Sequence, residues 1–534
     1  MKRLGLLLVL VLWFALPVLA DQSHHHEELT PEQLGTVHFP VSCAKAVHKP
    51  FERGVALLHS FWYEEAEKEF EQIAKDDPSC AMAHWGVAMS IWHQLWNHPD
   101  AATIKRVQAE IKKAKSLHPR TDRERDYIAA MGDFCAGKRN YDMRADAYSK
   151  AMEHAYQRYA DDREAAAFYA LSLLASEPDN DSTFANRKKA AAVLENLLVE
   201  EPNHPGVAHY LIHSYDKPQL AQLGLPAARR YAKIAPASPH ALHMPSHIFA
   251  RRGLWQDDID SNLASIAATR KTAAMHMGGE GHQFHAMDFL VYAYLQSGRE
   301  AEAQRVIDEV KAMPAMKDMH DMGFDPRVYA LAKFPATYAL ELHHWAEAAS
   351  LTSVPGADEG DNSITYWARA IGAARGGNAA DARKDIAEIE TIHKSLLQKK
   401  KTSWAEAVDH GRQEAAAWAD HAEGKDEEAI KTLRAIAENE ESTGEEPEGI
   451  PAREMLADLL LEMKRPDQAL AEYEADLKFN PNRFDGLYGA ARAAEMAGKT
   501  EKANTYYAQV LKLCDGSNSD RPELTRAKAR LAKK

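Results

Sequence analysis

Residues 466–481, PDQALAEYEADLKFNP, decide the fold of this chain. Ala469, Tyr473 and Pro481 recur 34 residues later as Ala503, Tyr507 and a turn at Asp515. The same order of small, bulky and helix-ending residues returns in Ala66, Phe70, Ile73 and Pro78, in Ala190, Leu194, Leu197 and Pro202, and in Ala227, Tyr231, Ile234 and Pro239. A small residue lets two helices approach closely, a bulky one fills the gap, and proline stops the second helix before the next begins. Apolar residues recur at helical spacing throughout and nothing alternates as a strand does, so the chain reads as all-α.

This pattern resembles the tetratricopeptide repeat. The resemblance covers most of residues 47–515, is sharp at both ends and is degenerate in the middle. It implies a superhelical array of antiparallel helix pairs, an α-solenoid whose first helices line a concave groove. Insertions after Trp96, Tyr215 and Thr272 interrupt the period. Two stretches rich in Gly, Pro and acidic residues, 352–362 (TSVPGADEGDN) and 438–451 (ENEESTGEEPEGIP), read as loops. The first is read as dividing a degenerate array over 47–351, with a His-rich groove, from a plainer C-terminal array over 363–534; the alternative is a single continuous superhelix.

The N-terminus has the marks of a signal peptide over residues 1–20. Met1-Lys2-Arg3 precedes an apolar run from Leu4 to Leu19, and Val18-Leu19-Ala20 suits a signal peptidase. The expectation is an exported protein, periplasmic or secreted, with a partly flexible segment over 21–46 and no membrane insertion. A net charge of −14 without a basic block makes nucleic acid an unsuitable partner. In an oxidising compartment Cys43 and Cys80, which flank one helical hairpin, are the candidate disulfide; the alternative is a pair of buried thiols.

Histidine carries the strongest functional signal. Nine of the 26 histidines lie between His204 and His285. His209 with His213, and His243 with His247, are four apart, so each pair lies on one face of a helix. His285 comes one turn before Asp288. Counting back from Gly253 and Gly298, the glycines expected to close first helices, puts His243, His247, His285 and Asp288 on the groove stripe, and His209 and His213 fit the same phase. His59 and His282 are additional candidates. Tyr210, Tyr215 and Tyr292 are available as hydrogen-bond donors.

Neutral imidazole and carboxylate suit a divalent Zn, Fe, Cu or Mn ion. These groups exceed one tetrahedral shell, so either two ions bind or some side chains only support ligands. The competing reading is a groove that receives an extended or helical peptide or protein without catalysis, with the C-terminal repeats as the favoured surface. A third is copper handling by Met313, Met316, Met319, His320 and Met322, with Met275-His276-Met277; methionine is also ordinary core filler, and His24, His25 and His26 read as a flexible tail that binds metal loosely. Trp62, Trp85, Trp92 and Trp96, with His84 and His93, read mostly as packing between helices, with a pocket wall at His93 and Trp96 as the alternative. There is no HExxH, CxxC, phosphate-binding glycine loop or GxSxG elbow. The reaction, if any, and the oligomeric state are not legible.

Overall fold

The computed structural model describes residues 29–95, 98–178, 181–278, 280–315, 325–444 and 449–532. Among these there are helices and turns and no strands. The helices alternate as antiparallel neighbours: His48–His59 with Tyr63–Asp76, Pro205–Tyr215 with Ala221–Ile234, Ala452–Glu462 with Pro466–Phe479, Phe484–Met496 with Thr500–Leu513. No helix among the described residues is long and apolar enough to cross a membrane. The expected signal peptide, His24 to His26, Trp96, and the Met316 to Met322 cluster lie outside the described residues.

The repeat residues perform the packing that their sizes suggest. Ala469 and Tyr473 are buried on the second helix of their pair, and the Tyr473 ring lies where a Cβ on Gly489 of the next pair would sit. Phe70 stands in the same way against Gly54 and Gly86 in the first pairs. Glycine is required at these positions because the neighbouring ring occupies the space of a side chain.

The N-terminal part of the superhelix closes on itself. His48–His59 packs against Pro205–Tyr215, and residues 29–46 form a strap whose helix Pro31–Leu34 touches both His48–His59 and Ala221–Ile234. The Thr36 N–H donates to the Asn203 carbonyl (2.9 Å) and the Ala237 N–H to the Gln33 carbonyl (3.1 Å). Leu34, Val37 and Phe39 are buried in the core. The described part of the expected flexible segment is therefore packed. Trp62 donates its indole N–H to the Met277 carbonyl (3.0 Å), docking the insertion after Thr272 onto the first pair, with the Met277 side chain buried in the core.

Cys43 and Cys80 form a disulfide across the first hairpin, Cα to Cα 4.8 Å, closing a loop with a sequence separation of 37. Cross-linking limits the unfolded chain more than the folded one. Cys43→Ser/Cys80→Ser should lose about 2–4 kcal/mol by urea unfolding; an unchanged midpoint would refute the role.

Both expected loops are shorter than their composition suggests. Residue 358 ends the first: Asp358 caps the helix Glu359–Arg375 by accepting the Asp361 N–H (3.0 Å), so 359–362 are helical. The helix Asp426–Thr443 covers the first six residues of the second. Its Glu440 is engaged by His410 and by the Ala452 N–H, so acidity there marks a half-buried pairing rather than free solvent exposure. Packing continues across 352. Ala336, Ala339, Leu340 and Ala348 share one core with residues as distant as Tyr507 and Ala527. The last pairs also return to the middle of the chain, where Trp255 donates to the Asn482 carbonyl (2.8 Å) and the Phe484 N–H to Gln296 (2.9 Å).

Candidate metal centre

Four helices bring six imidazoles together. Pro205–Tyr215 carries His209 and His213. The next first helix is broken: Pro245 has no N–H to continue the ladder, so Pro239–His243 gives way to Pro245–Arg251 at Met244. These two pieces carry His240, His243 and His247. His282–Gln296 supplies His285.

The rings form two adjacent triads. In the first, His209 Nε2 lies 3.0 Å from His240 Nε2 and 3.1 Å from His213 Nε2. In the second, His247 Nε2 lies 3.0 Å from His243 Nε2 and 3.4 Å from His285 Nε2. Ring centroids across the gap are 6.2 Å apart for His240 and His243, and 6.4 Å for His213 and His247. Imidazoles bound tetrahedrally at Zn–N distances near 2.0–2.1 Å have their nitrogens about 3.3 Å apart.

The opposite ring nitrogens set the tautomers. His209 Nδ1 donates to the His59 carbonyl (2.6 Å). His243 Nδ1 donates to Asn262 Oδ1 (2.7 Å), whose amide is oriented by donating to Asp258 (2.7 Å). His247 Nδ1 donates to Asp216 Oδ2 (2.9 Å), and Arg251 Nε holds the other Asp216 oxygen (2.9 Å). In the neutral rings these bonds leave lone pairs on Nε2, facing into the triads, as in metal-ligating histidines. Two such lone pairs 3.0 Å apart, on His243 and His247, repel unless positive charge lies between them. A metal cation or an imidazolium proton supplies it.

Protonation is disfavoured at most of these rings. Burial pushes the imidazolium pKa of His209 down to about 3. Burial and then the neighbouring imidazoles hold His213, His240 and His243 well below the ordinary value. His285 is exposed along the open side, yet the surrounding protein and then His247 bring it down to about 3. At Asp216 burial alone would raise the pKa, but Arg251 and His247 outweigh it and hold the carboxyl well below its usual range. Phe61 stacks on His213 and His240, and Phe289 lies 4.7 Å from His247, centroid to centroid, giving each triad an apolar wall.

Of the residues expected from sequence, His209, His213, His243, His247 and His285 come together. Asp288 is in neither triad: it is buried, and its carboxylate accepts from the Tyr329 hydroxyl at 3.3 Å. Three residues is a turn of about 300°, enough to send Asp288 inward while His285 stays open. His59 is fully buried rather than groove-lining, and only its carbonyl serves the first triad. Its ring joins Glu164 and His204, with His59 Nε2 2.8 Å and His204 Nε2 2.9 Å from the Glu164 carboxylate. Here His204 Nδ1 accepts the Val207 N–H (3.3 Å), so Nε2 carries the proton that it gives to Glu164. That cluster is satisfied by protons alone. His282 stands beside His240, centroids 5.3 Å apart. Tyr210 contacts His59 (2.8 Å), Tyr215 bonds Glu195, and Tyr292 bonds the Gly449 carbonyl (3.3 Å); none is in a triad. His93 stacks on Tyr63.

Sequence reasoning missed His240 and Asp216. His240 was visible three residues before His243 in SPHALHMPSH, whereas Asp216 lies just past its helix and had no periodic signal.

Antiparallel pairs with a 34-residue repeat and small residues at their contacts define the architecture. The fold is a tetratricopeptide-repeat-like α-solenoid. No protein-family model and no curated protein matches the chain by sequence. Among solved structures it is similar to the human IFIT1 dimer with PPP-AAAA, at 12% identity over 86% of this chain and 95% of that one, with a TM-score of 0.36. It is also similar to yeast Tom70, at 11% identity over 92% and 96%, TM-score 0.34. A third is the APC/C hetero-tetramer Cut9-Hcn1, at 12% identity over 90% and 89%, TM-score 0.31. Likeness this distant says nothing about ligands or partners of this solenoid.

Proposed function

We propose that this protein is an exported solenoid that holds divalent metal on its two histidine triads, one ion on His209, His213 and His240 and one on His243, His247 and His285. The observation that carries the reading is the pair of facing Nε2 atoms on His243 and His247, 3.0 Å apart, each ring donating its other N–H elsewhere. Zn²⁺ and Cu²⁺ suit all-imidazole sets. Three imidazoles leave a fourth position, and the exposure of His285 puts that position on the open side of the second triad. Zn²⁺ held this way lowers the pKa of a bound water to about 7, which would make this triad the place for hydrolytic or hydration chemistry.

Untagged protein purified from the exported fraction, loaded with Zn²⁺ and desalted, should carry about two ions per chain, one per triad. His243→Ala/His247→Ala should carry about one while retaining its helical circular dichroism. Wild-type protein without metal would overturn the reading.

The alternative of a peptide in the N-terminal groove is less favoured, because the inner helices there pack against one another around buried His59, His209 and Tyr210. Copper handling through methionine finds no support at Met275 or Met277, which pack against the core.

A further inference from the structure

A half-open cavity of about 290 Å³, lined mostly by the C-terminal half, is not used by the metal reading. Trp367, His410, Glu414, Glu440, Arg453 and Asp476 line it. Its charges are unevenly matched. His410 Nε2 lies between two carboxylates, 3.0 Å from Glu440 and 3.5 Å from Glu414, so one imidazolium serves both. Trp367 donates its indole N–H to Glu414 (2.8 Å). Arg453 is committed to Glu441 (2.8 Å) and Glu472 (2.6 Å). Arg251 also reaches the wall but is held by Asp216, which leaves half-buried Lys333 as the remaining cation.

Asp476 is the second observation. It is 1% exposed, and Oδ1 accepts from the Asn480 amide (2.8 Å), but Oδ2 is buried without a hydrogen-bond partner in the protein. A buried carboxylate oxygen left in this way is costly unless something donates to it. Burial raises Glu440 to about 7 against the pull of His410, and Asp476 to about 6 against that of Arg483.

We propose that this cavity binds an organic cation, a primary ammonium or guanidinium group seated on the Glu440 and Asp476 carboxylates beside Trp367. The volume limits the occupant to a small amine or one basic side chain of a peptide, and an aromatic neighbour suits either cation.

Isothermal titration of the full chain with cadaverine, 1,5-pentanediol, glutarate and the capped tripeptide acetyl-Ala-Lys-Ala-amide tests the proposal. Cadaverine or the tripeptide should bind while the neutral diol and the dianion do not. Preference for cadaverine assigns a free amine, and preference for the tripeptide assigns a protein segment. Asp476→Asn and Glu440→Gln should each weaken binding about tenfold, the loss of one charge-assisted hydrogen bond, with thermal midpoints measured alongside. Failure of both cations to bind, or equal binding of the diol, would overturn the proposal without reference to any variant.

Discussion

Arg483→Ala should destabilise the protein by about 3–5 kcal/mol, the usual cost of removing one partner from a buried charge network. The guanidinium is 1% exposed and holds two buried carboxylates, Glu341 at 2.9 Å and Glu454 at 2.7 and 2.9 Å. It also donates to the Tyr292 hydroxyl and to the Gly449 carbonyl (3.2 Å). Glu341 is further bound by Gln296 (2.8 Å), whose other amide atom accepts the Phe484 N–H. The network joins the last helix pairs to His282–Gln296 and Pro326–Glu341, so its loss leaves anions buried at a long-range contact. Lysine cannot reproduce the forked geometry, and Arg483→Lys should fall between alanine and wild type. Urea unfolding gives the comparison; a loss below about 1 kcal/mol for alanine, the scale of a surface pair, would show that the network is not structural.

Metal-free protein should lose stability steeply as pH falls below about 6.5, the ordinary imidazole value. His59, His209, His240 and His243 are buried, and burial is the largest cause holding each of their pKa values down. The unfolded chain therefore binds protons that the folded chain refuses, and stability rises with pH across that window. Below about 6.5 each such ring costs about 1.4 kcal/mol per pH unit until its folded pKa is reached, so the three triad rings cost about 4 kcal/mol per unit, and His59 adds in the same direction. Against a typical stability of about 5–15 kcal/mol, acid unfolding should occur within two units or so below neutrality. Bound metal stabilises the unprotonated ligands and moves the midpoint to lower pH. Circular dichroism against pH, with and without chelator, measures both. A flat profile from pH 7 to 4.5 in chelator would contradict the neutral assignment of these rings.

The fold was legible because its determinants are local and repeated. Ala469, Tyr473 and Pro481 state how two helices meet, and repetition states that the meeting recurs. The histidine pairs were legible for the same reason, since four residues on a helix is a geometric statement. Closure was not legible. Nothing in the residues near His59 indicates that its carbonyl meets His209, 150 positions away. Asp288 shows the limit of helical phase: three residues from His285, it turns inward to Tyr329 while the carboxylate beside the histidines comes from Asp216. The acidic stretch around Glu440 misled because composition reports the average fate of a charge, and this one is paired.

The strap over residues 29–46 and the packing of His48–His59 on Pro205–Tyr215 change how the protein comes apart. An open solenoid frays from its ends, because each repeat leans only on its neighbours and terminal repeats detach first. Here the first repeat is held from two directions, and His59 within it fixes a ring of the first triad. Loss of the terminal repeat and loss of the centre are then one event, and the N-terminal array melts as a closed hoop rather than as a zipper.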